Sequence, residues 1–186
     1  MASRNVADGQ SLVDTAESAL VETHALLLRM REVSVQAANG TLSTADNTAL
    51  NAEFQQLEAE IDRINDNTKW AGSDLFTGSP TVFHIGAKAT DTLSFTIGEM
   101  AAHDLDIDTA GPDNKLASVT GTATDDDDNE VRDLTDATNA AAMITVLDDA
   151  IKTVSTERGN LGAISNRLSS TIANLDQVGV NLSASK

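Results

Sequence analysis

Four closely spaced aspartates are the first residues of this sequence whose types could do chemistry. Asp104, Asp106 and Asp108 alternate in the stretch DLDIDTAGPD, and Asp113 follows them. Carboxylates at alternate positions of a loop are typical of calcium binding. However, Thr109 occupies the place of the sharp-turn glycine, and no glutamate closes the loop at its twelfth position. An extended segment whose acids face water explains the same spacing, so we predict no metal site here.

The histidines and serines show no catalytic arrangement. His24, His84 and His103 are scattered, none belongs to an H-E-x-x-H pair, and no serine lies in a nucleophile elbow. The chain has no cysteine, which excludes disulfides, thiolate metal sites and Cys nucleophiles. We therefore predict a protein that is not an enzyme and that needs no cofactor.

Two arginines are unexpected in so acidic a chain, whose formal net charge is -17. That charge argues against binding nucleic acid or an anionic membrane surface, and no apolar run approaches the roughly 18 residues of a transmembrane helix. Arg29 and Arg31 nevertheless flank Met30 on a predicted helix. A guanidinium suits planar, bidentate recognition. A solvated charged face, whose exposed ion pairs contribute about 0–1 kcal/mol each, explains the same residues.

Two predicted helices form a hairpin that would hold these arginines. Residues 6–39 place small or apolar residues in alternating steps of four and three, which is a heptad pattern. This seam consists of Leu12, Ala16, Ala19, Thr23, Leu26, Met30, Val33 and Ala37, and Val13, Leu20 and Leu27 widen it on one side. Asn39-Gly40 predicts a left-handed helix end. Residues 43–67 repeat the pattern behind a capping box of Ser43 and Asp46, and the short linker predicts an antiparallel return.

A third predicted helix, residues 136–184, is much longer than the usual 8–20 residues. Its three- and four-residue steps continue over about 40 residues, or about 60 Å at about 1.5 Å per residue. Arg158, Ser165 and Gly179 interrupt the seam. Gly159, Gly162 and Gly179 weaken the helix in isolation. These residues make sense if another helix or chain packs close there.

Between the helices the apolar period changes to two. Alternation from Thr81 to Ile85 and from Leu93 to Ile97 predicts a β-hairpin. The acidic stretch that follows predicts a solvated surface loop, with one further short strand pair. The predicted fold is mainly α with a small β part (α+β): an elongated antiparallel bundle of three long helices, with the hairpin and acidic loop at residues 80–135. We predict a single domain over residues 1–186.

Several blocks of the sequence resemble bacterial flagellins. The N-terminal conserved region of that family is similar to RNVADGQSLVDTAESALVETHALLLRMREVSVQAANGT, continued by LEAEIDRINDNTKWAGSDLF. The C-terminal region is similar to ERGNLGAISNRLSSTIANL, and the hairpin of short flagellins resembles VFHIGAKATDTLSFTIGEM. The resemblance covers residues 4–100 and 143–183. It implies a flagellin rod domain without the terminal helices that polymerise the filament.

The resemblance implies a structural subunit of the flagellar filament, a homopolymer assembled through helical seams, although this truncated chain is expected to be monomeric. It also implies a flagellar export chaperone for the full-length protein. The N-terminal stretch has no apolar signal region, which taken alone would predict a cytoplasmic protein. Export through the flagellar apparatus needs no such signal, so we predict a secreted protein of the extracellular flagellum.

In flagellins, the stretch matching LRMREVSVQAANGT is the principal surface read by Toll-like receptor 5, and it also contacts stacked subunits. Carried over by position, the receptor or subunit interface consists of Arg29, Val33 and Glu53, with Arg31 and Gln36 beside them; we add Arg158. Val33 would fit an apolar pocket. Flagellins that activate the receptor usually have Gln at Leu28 and Leu at Val33. The second change removes one methylene, worth about 0.8 kcal/mol if fully buried, so we expect weakened recognition.

Two other functions stay open. A hook–filament junction protein shares the terminal motifs but usually diverges from QAANGT and ERGNLGAISNRL. A surface adhesin or recognition ligand would bind its receptor without assembling.

Overall fold

The computed structural model describes residues 1–86, 90–102, 104–105, 107 and 134–185. The elements found within these residues are α1 (Ala2–Ala37), α2 (Thr44–Asn67), β1 (Lys69–Trp70), β2 (Ser73–Asp74), β3 (Pro80–His84), β4 (Thr92–Thr96) and α3 (Ala137–Ala184). The predicted α+β class, with three helices and a hairpin, is thereby confirmed. The calcium-type aspartates after Asp104 and the predicted further strand pair lie outside the described residues.

The start of α2 has the local structure that its sequence predicts. The backbone N–H of Asp46 donates to Ser43 Oγ at 3.3 Å, and the N–H of Ser43 donates to Asp46 Oδ2 at 3.1 Å. This reciprocal pair is a capping box. The predicted end of α1 is wrong in detail, because neither Asn39 nor Gly40 has a positive φ. Instead, the N–H of Asn39 donates to the Gln36 carbonyl at 3.1 Å, so a tight turn closes the helix.

Contacts divide the chain, which the sequence predicts as one domain, into two compact units. Unit 1 contains residues 1–20, 68–99 and 156–186, and unit 2 contains residues 21–67 and 100–155. α1 and α3 therefore contribute to both units.

The core of unit 2 contains most of the seam predicted for α1. The seam residues of α1 in this unit are buried, except Leu26, which is half-buried. Leu27, which was predicted to widen the seam, is fully buried, together with Phe54 of α2 and Leu147 of α3. A helix that packs against two others buries a wider face than a two-helix seam.

Polar side chains of α2 hold the backbone of two other segments of unit 2. At one end of α2, Asn65 and Asp62 accept hydrogen bonds from residues 100 and 102; at the other, Asn51 and Asn47 bond residues 134 and 135. The shortest of these bonds, from the N–H of Ala102 to Asp62 Oδ1, measures 2.8 Å. α2 thus fixes the backbone on both sides of the central acidic stretch.

Unit 1 contains the predicted hairpin. β3 and β4 pair antiparallel, with Phe83 opposite Leu93 and Thr81 opposite Phe95. The Phe83 and Phe95 rings stack with their centroids 5.9 Å apart. Gly9 of α1 lies beside this sheet, since a Cβ built there would be 3.6 Å from the Phe83 ring and from Leu168. The hairpin prediction is confirmed.

A second, smaller hairpin of β1 and β2 is absent from the sequence prediction. Trp70 pairs with Ser73, and the two residues between them, Ala71 and Gly72, have φ values of 49° and 86°. Positive φ at both central positions is the signature of a type I′ turn, in which Asn-Gly is favoured. Strands of two residues are too short to show an alternating pattern. In addition, Ala-Gly is not one of the residue pairs, such as Asn-Gly, that predict this turn from the sequence.

Ala71→Asn is expected to raise the free energy of unfolding by about 0.5–1 kcal/mol, because asparagine tolerates the left-handed conformation that strains alanine. Urea denaturation would measure the change. Ala71→Val is the matched control and should destabilise the protein, since a β-branched residue fits positive φ poorly. Equal stabilities of the two variants would contradict the turn assignment.

Candidate interaction surface

Arg29 joins α1 to α2 on the outside of unit 2. Its Nε and Nη2 donate to Glu53 Oε1 at 2.8 and 2.6 Å, and its Nη1 donates to Glu32 Oε2 at 3.1 Å. The bond to Glu53, followed by that to Glu32, raises the pKa of Arg29 above its ordinary value. The three side chains are exposed enough for a partner to reach them, at 51% for Arg29, 39% for Glu53 and 70% for Glu32.

Arg31 points to a different neighbour. Its Nε donates to Asp148 Oδ1 at 2.6 Å and its Nη2 to Asp148 Oδ2 at 3.4 Å, which links α1 to α3. Two residues correspond to about 200° around a helix, so the two arginines lie on opposite sides of the buried Met30. Arg29 and Arg31 therefore take part in two separate helix contacts, of α1 with α2 and of α1 with α3.

The Arg31–Asp148 pair predicts a response to acid. The Arg31 hydrogen bond lowers the pKa of Asp148 below 3.8, its ordinary value, so the pair stabilises the fold fully above that pH. The stabilisation is lost as the pH falls through the lower folded-state pKa. Asp148→Asn should therefore lessen the fall in Tm below pH 3.8. Arg31→Gln should have the same effect, and an unchanged acid response in both variants would contradict the assignment.

Two of the other predicted site residues, Val33 and Arg158, do not form one surface with this cluster. Gln36 is exposed on α1 in unit 2, but Val33 is 1% exposed and lies in the core. This burial corrects the expectation that Val33 enters an apolar pocket of a partner. Arg158 lies in unit 1, where its Nε donates to Glu17 Oε1 at 2.8 Å.

A row of exposed apolar residues is the feature of this surface that sequence reasoning missed. Val21, Leu28 and Val35 are 42%, 44% and 48% exposed and recur every seven residues along α1 in unit 2. Seven residues are nearly two helical turns, so the three side chains share a face. Their spacing was visible in the sequence, but only the folded helix shows that this face is uncovered. Exposed apolar residues that share a face favour contact with another protein.

Within the part of the chain that the structure describes, no group of three acidic, histidine or cysteine side chains could hold a metal ion. Among the same residues, no helix is long and apolar enough to cross a membrane.

Comparisons with known proteins agree on one family. The model of the bacterial flagellin N-terminal helical region matches residues 1–81, and that of the C-terminal helical region matches residues 144–186. Flagellin from Bacillus subtilis is 40% identical over 208 residues, an alignment that includes the whole chain. The chain spans 66% of that relative's length.

Solved structures give the same result. The crystal structure of Bacillus cereus flagellin is 30% identical, with a TM-score of 0.70 over 99% of this chain and 95% of that one. A putative flagellar hook-associated protein from Vibrio parahaemolyticus has a TM-score of 0.73 over 98% of this chain and 87% of that one, but only 16% identity. This second likeness concerns the fold alone.

Proposed function

Because the chain belongs to the bacterial flagellin family, which is a family of structural proteins, we propose that it functions in a flagellar filament subunit. The observation that carries this proposal is the match to both helical regions of the family, over residues 1–81 and 144–186. A filament needs repeated contacts between copies that do not close into a ring. Each copy must therefore carry a surface that is uncovered in the isolated chain.

The proposed subunit contact is the row of Val21, Leu28 and Val35. Its side chains are exposed although they are apolar, and the charged cluster of Arg29 and Glu32 lies beside it on the same helix. The net charge of -17 makes neighbouring copies repel each other. Salt screens such repulsion, so assembly is expected to improve as ionic strength rises. In the cell, we further propose export by the flagellar apparatus with the help of an export chaperone.

A chimera tests the filament proposal. This chain would replace the matching region of the Bacillus subtilis flagellin in a strain that lacks its own flagellin. Electron microscopy should then show long filaments of uniform width. A second chimera, with Val21→Asp, Leu28→Asp and Val35→Asp, should be secreted but should not assemble. The unmodified host flagellin controls for secretion.

The chimera also separates the alternatives. A hook–filament junction protein would add a short layer and then stop, and an adhesin would be secreted without assembling. If the secreted chimera is folded and yet forms no filaments, the filament proposal fails.

A second proposed function is recognition by Toll-like receptor 5. The observation that favours it is the exposed cluster of Arg29 and Glu53, with Gln36 seven residues after Arg29 on the same helix. Arg31, which pairs with Asp148, lies on the other side of α1. Arginines are enriched among the residues that dominate binding energy at interfaces. The buried Val33 is not part of this proposed contact.

Arg29→Ala is expected to weaken binding of the purified receptor ectodomain about thirtyfold, the effect of an interface residue worth about 2 kcal/mol. Arg63→Ala is the matched control, because Arg63 is also an exposed helical arginine with a glutamate partner three residues away, Glu60. Titration of the receptor with each variant would measure the dissociation constants. Equal losses for both variants would show that the effect is one of general charge, not of this surface.

A further inference from the structure

α1 carries a polar residue at every seventh position of one line. The series is Ser3, Gln10, Glu17, His24 and Arg31. Four of these five side chains form hydrogen bonds with side chains of α3: Ser3 with Asp176, Gln10 with Ser165, Glu17 with Arg158 and Arg31 with Asp148. The first three pairs belong to unit 1 and the last to unit 2.

Two of these pairs are partly buried and lie one heptad apart. Gln10 Nε2 donates to Ser165 Oγ at 2.7 Å, and Arg158 Nε donates to Glu17 Oε1 at 2.8 Å. From the first pair to the second, the residue number on α1 rises by seven and that on α3 falls by seven, as expected for two antiparallel helices. We call these two pairs the polar layers.

The polar layers interrupt α3 where an apolar side chain would otherwise be expected. The line of α3 that contains them reads Ile144, Ile151, Arg158, Ser165 and Ile172. Isoleucine thus gives way to a polar residue at two positions only, and both face a polar residue of α1.

The polar layers contribute little to the stability of the fold. Arg158 and Glu17 are 34% and 36% exposed, and partly exposed ion pairs contribute little. Moreover, Gln10 Oε1 and Glu17 Oε2 are buried and have no hydrogen-bond partner among the described residues. Apolar residues in the place of such pairs are often neutral or stabilising. What the polar layers do supply is an ion pair, Glu17–Arg158, that can form in one alignment only.

We infer that the polar layers of Gln10–Ser165 and Glu17–Arg158 set the axial register between α1 and α3. The apolar seam repeats every seven residues, so by itself it tolerates a slip of one heptad, about 10 Å. A slip in one direction would place Gln10 against Ile172 and Arg158 against His24. A slip in the other would place Glu17 against Ile151 and Arg158 against Gln10. Each slipped alignment separates Glu17 from Arg158 and sets a polar side chain against isoleucine, which is costly.

Cysteine pairs would report the register, because the chain has no cysteine of its own. Ser3→Cys with Asp176→Cys reports the observed register, in which Ser3 Oγ and Asp176 Oδ1 are 3.4 Å apart. Ser3→Cys with Ser169→Cys, and Ser3→Cys with Ser183→Cys, report slips of one heptad in either direction. Oxidation of dilute protein should join only the first pair while the polar layers are intact.

Replacing both polar layers by apolar residues should allow α1 to slip along α3 by one heptad. In a variant with Gln10→Leu, Glu17→Leu, Arg158→Ile and Ser165→Ile, the yield of slipped disulfides should rise at least tenfold. The charge-swapped control, Glu17→Arg with Arg158→Glu, keeps a matched pair and should form only the in-register disulfide. The double variant with only Glu17→Leu and Arg158→Ile tests the same prediction if the fourfold variant does not fold. If either apolar variant is helical by circular dichroism and forms only the in-register disulfide, the inference is overturned.

Discussion

Replacing Phe54 by alanine is expected to lower the free energy of unfolding by about 3–5 kcal/mol. The side chain is fully buried, and it is one of only four phenylalanines in a chain with one tryptophan and no tyrosine. Its loss would leave a cavity between helices that have few other large side chains to fill it. Urea denaturation followed by circular dichroism would measure the change.

Gln55→Ala is the matched control for Phe54→Ala, because Gln55 is the next residue of α2 and is exposed. Exposed substitutions of this kind usually change stability by no more than about 0.5 kcal/mol. If Phe54→Ala costs less than about 1 kcal/mol, the core of unit 2 does not depend on this residue as described.

The double variant Gly159→Ala and Gly162→Ala is expected to raise the free energy of unfolding by about 2 kcal/mol, about 1 kcal/mol for each glycine replaced in a helix interior. A Cβ built at either position meets no atom within 4 Å, so alanine fits without strain. A stability gain of this size raises the question of why the glycines are present. We propose that they leave room for a neighbouring subunit on α3.

Filament growth separates the two roles of these glycines. In the Bacillus subtilis chimera, the double variant should be more stable as a monomer and yet should form shorter filaments or none. Ala163→Gly is the matched control, since it lies on the same helix and is exposed; it should cost about 1 kcal/mol of stability. Normal filaments from the double variant would show that the glycines are not needed for subunit contact.

Much of the local structure could be predicted from the sequence, because it depends on residues close together in the chain. The capping box of Ser43 and Asp46 is four residues long, and its bonds form as predicted. The β3–β4 hairpin follows from an alternation that any half-buried sheet imposes. The blocks that resemble flagellins are also stretches of neighbouring residues, so they indicate the family without any information on tertiary contacts.

The arrangement of the candidate surface depends on which helices pack against each other, and the sequence does not predict that packing. The sequence puts Arg29 and Arg31 on one helix, but only packing pairs the first with Glu53 of α2 and the second with Asp148 of α3. The sequence also placed Val33 in the predicted interface, yet its side chain lies in the core.

The sequence by itself determined three helices, a β-hairpin and the family, because periodicity and conserved motifs are properties of neighbouring residues along the chain. The tertiary structure alone decided how deeply each of several overlapping heptad lines on α1 is buried. Lines that differ by one residue, such as those through Leu26 and Leu27, have nearly the same apolar content. The line that becomes the core is fixed by the direction from which α2 and α3 approach, and the line through Val21, Leu28 and Val35 stays exposed for the same reason.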